Sequence, residues 1–171
     1  MNVNEKDDIL KGFLELVRVV VVTVIVTVLI LQFVQVSKIY GTSMENTYHE
    51  GNIVLVDKVF YKKSSPHYND IVVVDYQNSG DETFIIKRVI ALGGDHIEIK
   101  DDQVYRNGQL LKENYIKEAM VNCDDLSIDV PKGQIFVMGD NRNVSLDSRR
   151  LGCFSFKKDV IGKVFFKVPF F

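Results

Sequence analysis

A basic excess is the first thing this sequence lacks: 21 Lys and Arg stand against 23 Asp and Glu, a formal net charge of −2. Without surplus cations to neutralise phosphates, the chain does not read as a nucleic-acid binder. Cysteine is scarce as well. Cys123 and Cys153 lie 30 residues apart with no CxxC spacing, and His49, His67 and His96 are scattered, so no zinc-ligand grouping is visible. No metal or other cofactor is expected. The two cysteines read as buried small apolar residues, with a disulfide left open. Internal repeats and low-complexity segments are also missing, and after residue 36 no long stretch shows a helical period.

What the sequence has in excess is local. Residues 16–36 form an apolar run interrupted only by Arg18, Thr23, Thr27, Gln32 and Gln35. Its centre, VVVVTVIVTVLIL, is rich in β-branched residues that favour strands. Length decides otherwise: as a helix the run is roughly 31 Å long and crosses a hydrocarbon core, whereas a strand of that length would leave backbone groups unpaired. Arg18 sits near the end of the span, where it can snorkel to the interface. A cleaved secretory signal is the competing reading. The start, MNVNEKDD, is not a basic n-region, and QVSKIYG offers no A-x-A cleavage site, so the span reads as an uncleaved anchor in membrane lipid. Lys6, Lys11 and Arg18 precede or open the span and only Lys38 follows closely. Positive-inside counting then gives a short cytoplasmic N-terminus (1–15), a transmembrane helix (16–36) and an extracytoplasmic domain (37–171).

That domain alternates short apolar runs with Gly, Asn and Asp. Strands are predicted over 53–56, 71–76, 83–92, 96–100, 103–106, 135–138 and 160–168. HIEIKDDQVYRNGQLL reads as a meander with tight turns at Asp101-Asp102 and Asn107-Gly108. Residues 113–129 carry the least pattern and read as a surface excursion. The expected fold is mostly β, an antiparallel sheet or barrel-like domain preceded by one N-terminal transmembrane helix.

Three clusters carry potential chemistry. The first is Tyr40-Gly41-Thr42-Ser43-Met44-Glu45-Asn46-Thr47, plainly a turn-rich loop, in which Gly41 would let a substrate backbone approach Ser43 closely. The Ser43 N–H is placed to help stabilise an oxyanion. In Phe84-Ile85-Ile86-Lys87-Arg88-Val89-Ile90, alternation puts Lys87 with Ile85 and Val89 and turns Arg88 to the other face. The ordinary reading is a half-buried strand whose lysine escapes to solvent. The chemical reading is a lysine kept neutral by apolar surroundings. The third cluster, Gly139 to Arg150, packs two Asp, three Arg, two Asn and two Ser into twelve positions after the apolar IFVM strand. Such a loop is either a solvated surface or a network that fixes neighbouring side chains.

In order after the span, the chain reads Gly-Thr-Ser-Met, Gly-Asn-Ile-Val-Leu-Val-Asp-Lys, Lys-Arg-Val-Ile-Ala-Leu-Gly-Gly-Asp, then Gly-Asp-Asn-Arg, Ser and Asp-Ser-Arg. This closely resembles the bacterial type I signal peptidases over nearly the whole chain, with 139–149 the most distinctive part. The resemblance implies a membrane-anchored serine endopeptidase without metal, acting on secretory preproteins after small residues. It makes Ser43 the nucleophile and Lys87 its general base. It makes Ser145 the hydroxyl that orients the lysine amine, and Asp140, Arg142, Asp147 and Arg149 the structural acids and bases, with Arg88 paired to one of the acids. Met44 would lie beside a pocket for a small P1 side chain, with Gly41 and Ile85 also at the substrate. Two positions depart from the family pattern: Asn46 and Gly93 stand where prolines are usual, which is expected to loosen turns flanking the site. Two other readings stay open, a non-catalytic membrane-anchored scaffold and a self-cleaving regulator of the SOS-repressor type.

Overall fold

The computed structural model describes residues 3–78 and 81–169; Met1 and Asn2 of the expected N-terminal segment lie outside them. The chain divides into two compact units, 1–34 and 35–171. The first is helix α1, Val3–Phe33. Its apolar stretch, Leu10–Phe33, runs 24 residues, long enough to cross a membrane. The helix ends three residues before the predicted limit. Val34-Gln35-Val36-Ser37 alternates apolar and polar residues, a period-two pattern, and forms strand β1, Val34–Lys38.

The second unit is built from antiparallel strands. After β2 (Ile53–Asp57) and the single-turn helix α2 (Phe60–Lys63) come β3 (Ile71–Asn78) and β4 (Asp81–Leu92). Next are β5 (His96–Lys100), β6 (Gln103–Arg106), β7 (Gln109–Leu110), β8 (Leu126–Asp129) and β9 (Gln134–Met138). Helix α3 (Ser148–Leu151), β10 (Phe154–Ser155) and β11 (Val160–Lys167) complete the described chain. One sheet has the order β1-β2-β11-β3-β4-β9-β10 and the other β7-β6-β5-β8. The meander forms as its turn residues require: Asp101, Asp102, Asn107 and Gly108 all adopt positive φ, as two-residue hairpin turns demand.

Strands β4 and β9 carry near-continuous apolar runs because both faces of their sheet are covered. Val89, Ile135 and Val137 pack in one cluster with Val72, Val74 and Phe156. The alternate residues Ile90, Phe136 and Met138 pack with Ile97, Ile99 and Val104 of the small sheet. At fully buried positions each such side chain contributes about 1.5–3 kcal/mol. Buried on both sides, β4 and β9 are a rigid base for the residues that leave their ends.

Three sequence expectations need correction. Residues 113–129 are more than a surface excursion: Leu126–Asp129 pairs with β5, and Met120 is 5% exposed. The cysteines, expected to be buried, are free thiols of intermediate exposure packed against the small-sheet cluster. The two missing prolines do not leave loose turns. Asn46 has φ +85°, which proline cannot adopt, and its side chain donates to the carbonyls of Tyr115 and Ile116 at 3.1 and 3.4 Å. At Gly93 a Cβ would lie 2.9 Å from both the Gly133 nitrogen and the Pro131 oxygen. The 131–133 segment closes over that turn and leaves no room for a side chain.

Candidate active site

Ser43 lies on the loop between β1 and β2, and Lys87 lies on β4 opposite Val72 of β3. The Lys87 Nζ donates to Ser43 Oγ at 2.7 Å and to the carbonyl of its neighbour Ile86 at 3.0 Å. Lys87 is 2% exposed, and no carboxylate bonds it among the described residues. Burial pushes its amine from the ordinary lysine range down to about 8, against the upward pull of the Asp147 and Asp140 carboxylates. About a tenth of the amine is therefore neutral at pH 7 and about half at pH 8, and a neutral amine can accept a proton from a serine hydroxyl.

A cleft of about 320 Å³ opens at this pair, lined by Tyr40, Gly41, Met44, Phe84 and Ile85 among others. Met44 is buried, Ile85 half-buried, and Gly41 sits at φ +78° with open space where a Cβ would be. The Ser43 amide has no acceptor among the described residues.

The 139–150 loop, released by β9, supplies the scaffold. Asp140 is fully buried and takes a two-pronged bond from Arg88, at 2.8 and 2.6 Å, while the Thr47 hydroxyl bridges the two. Asp147 caps α3 and accepts from the Gly139 amide at 3.0 Å. Burial works to raise the Asp147 carboxyl, but the Arg149 guanidinium and the Gly139 amide together hold it below the usual carboxylate range. Arg149 bonds Asp147 at 2.8 and 2.9 Å and also donates to the Arg142 carbonyl at 2.7 Å. Arg142, 2% exposed, bonds the Gly139 carbonyl and, in a fork at 2.7 and 2.6 Å, Glu113. Gly139 itself admits no side chain, because a Cβ there would run into Ser145 and the Ser43 carbonyl. The loop thereby closes directly onto the serine's own backbone.

A sequence profile described as signal peptidase, peptidase S26, matches residues 13–169. The chain belongs to that family. It is 34% identical over 152 residues to signal peptidase I U of Bacillus subtilis, covering 84% of this chain and 80% of that one. To signal peptidase I S of the same organism it is 36% identical over 173 residues, covering 94% and 89%. A solved signal peptidase I from Enterococcus faecalis superposes with a TM-score of 0.50 at 30% identity, covering 58% of this chain and 97% of that one. The protein is thus a serine endopeptidase of the signal peptidase I type.

Every residue singled out from the signal peptidase resemblance lies in the cleft or in this scaffold, with one difference of contact. The Ser145 hydroxyl is buried and makes no hydrogen bond of full geometry among the described residues, although it lies near enough to Asp147 to help hold that carboxyl low; the bond to the Lys87 amine expected of it is not formed. Sequence reasoning missed Glu113 and Tyr115. Glu113 neutralises Arg142, and the Tyr115 ring lies 4.1 Å from the Arg88 guanidinium carbon. Glu113 lies 29 residues from Arg142 in the chain, and no local sequence signal ties the two.

Proposed function

We propose that this signal peptidase cleaves by a Ser43–Lys87 mechanism. Neutral Lys87 takes the Ser43 hydroxyl proton as Ser43 Oγ attacks the carbonyl of the signal peptide's last residue. The charged lysine then protonates the leaving amine, and water, activated in turn by Lys87, hydrolyses the acyl-enzyme. The Ser43 N–H meets the developing oxyanion. The Ser145 hydroxyl, not bonded to Lys87 in the free enzyme, accepts a hydrogen bond from the amine as it becomes charged, and Asp140, Arg88, Arg142, Asp147 and Arg149 hold the loops. Gly41, Met44 and Ile85 bound the site of a small P1 side chain. The observation that carries this reading is the 2.7 Å bond from a buried amine to Ser43 Oγ.

The substrates are exported preproteins, and α1 anchors the enzyme beside them with residues 1–15 cytoplasmic and the β domain, from about residue 37 to 171, extracytoplasmic. Anchoring confines enzyme and substrate to one surface and raises their effective concentration. Protease added outside spheroplasts digests the β domain and leaves a short protected fragment if this orientation holds; full protection reverses it. Cleavage of a fluorogenic Ala-x-Ala peptide in detergent tests the chemistry. Ser43→Ala is expected to abolish turnover, and Phe at P1 to be rejected where Ala is accepted. Turnover surviving in Ser43→Ala would remove Ser43 from the mechanism.

A further inference from the structure

Asn141 has no part in the dyad, yet it grips the nucleophile loop on both sides of Ser43. Its side-chain Nδ2 donates to the Thr42 carbonyl at 3.1 Å, and its main-chain N–H donates to the Ser43 carbonyl at 3.0 Å. A longer contact of 3.5 Å joins Nδ2 to Glu45, whose carboxylate bonds Lys117 at 2.6 Å. The residue is 3% exposed, and its Oδ1 has no partner among the described residues. Keeping an amide in a buried position where only its donor end is used indicates that the donor end matters there.

The Thr42 carbonyl and the Ser43 N–H are the two ends of one peptide group. That group is planar and trans, so the carbonyl and the N–H point to opposite sides. A donor fixed on the carbonyl therefore fixes the direction of the N–H. The Glu45 amide also donates to the Thr42 carbonyl, at 3.1 Å, but that bond lies within the turn itself. Asn141 ties the same oxygen to the 139–150 loop, whose Gly139 lies against Ser145 and the Ser43 carbonyl.

The geometry points to Asn141 as a positioning residue for the oxyanion donor: its side chain orients the Thr42–Ser43 peptide so that the Ser43 N–H faces the cleft. This rests on the Ser43–Lys87 reading and adds to it a device that acts on the transition state alone. A substrate carbonyl in the ground state gains little from a well-aimed N–H, whereas the oxyanion gains much.

The test compares parent, Asn141→Leu, Asn141→Ala and Ser43→Ala on the fluorogenic Ala-x-Ala peptide from pH 6 to 10, with a peptide aldehyde as inhibitor. Ser43 Oγ adds to the aldehyde carbon as Lys87 takes its proton, and the displaced π electrons settle on the oxygen that faces the Ser43 amide. Leu matches Asn in shape and removes the donor; Ala removes it without asking an apolar group to fit. In both, the main-chain bond to the Ser43 carbonyl survives. The expected result is a kcat about 10- to 100-fold below the parent and aldehyde affinity reduced by a similar factor. KM should stay within about twofold, and the acid limb of kcat/KM should keep its midpoint. Parental kcat in a folded variant, a loss carried by KM, or a displaced midpoint overturns the assignment. Ser43→Ala separates the two levels: turnover surviving there sinks the dyad, while an inactive Ser43→Ala beside a fully active Asn141→Leu sinks only the role of Asn141.

Discussion

Lys87 and Arg88 are neighbours on β4, both cations and both buried, and they meet opposite environments. Arg88 is fully answered: Asp140 takes two of its N–H groups, Thr47 and the Asn69 carbonyl take others, and Tyr115 covers its face. Lys87 has one hydroxyl and one carbonyl, and its nearest carboxylates act only through space. The first arrangement holds a charge in place. The second makes a charge unwelcome, as the proposed base requires. A single register places Arg88 in the scaffold and its neighbour Lys87 beside Ser43.

The comparison breaks most violently if the answered cation loses its partner. Asp140→Ala strands Arg88 in the interior and should cost about 3–5 kcal/mol in a denaturant midpoint, with much of it recovered in Arg88→Met/Asp140→Ala. No recovery in the double variant would mean that Asp140 stabilises through Thr47 and not through Arg88. Next comes a permanent charge at the unanswered site. Lys87→Arg should be inactive, because guanidinium does not surrender its proton, and less stable by about 3 kcal/mol. Residual turnover in that variant would make Lys87 an ordinary charged lysine.

Removing the charge at the same site should act in the other direction. A fall from the ordinary range to about 8 corresponds to roughly 3 kcal/mol of destabilisation near neutral pH. Two lost hydrogen bonds offset about 1 kcal/mol each, so Lys87→Met should be inactive yet equal to the parent or about 1 kcal/mol more stable at pH 7. Between pH 8 and 10.5 the unfolded chain binds the proton that the folded site has released. Parent stability therefore rises with pH through that window, and the advantage of the Met variant shrinks there. A constant difference from pH 7 to 11 would contradict the buried amine. The smallest effect on stability belongs to Ser145→Ala, whose hydroxyl makes no hydrogen bond of full geometry: within about 1 kcal/mol, but with kcat lowered about 10- to 1000-fold. Parental kcat would show that Ser145 does not hold the lysine.

The strands that frame the site were legible because their pattern is local. Alternation along 83–92, the apolar IFVM run and the Asp-Asp and Asn-Gly turns each state their own structure within a few residues. The apolar span was legible as a helix from its length, although not its end: Val34 to Val36 look apolar in a window and become strand because β2 lies beside them. What stayed hidden depends on partners far away in the chain. Glu113 is 29 residues from Arg142, and Asn46 is 69 from Tyr115, so neither contact leaves a periodic trace. The same limit made Asn46 and Gly93 look like lost prolines, when one is a left-handed turn residue tied by its side chain and the other a close contact between segments.

The contrast on β4 stands or falls on the protonation of Lys87 in the working enzyme. The pH dependence of kcat/KM on the Ala-x-Ala peptide reads it, since that ratio reports the free enzyme's essential base. The account predicts an acid limb with a midpoint at about 8, where burial sets the Lys87 amine. A rate independent of pH from 6 to 9, or a limb that rises only in the ordinary lysine range near 10.5, would contradict it.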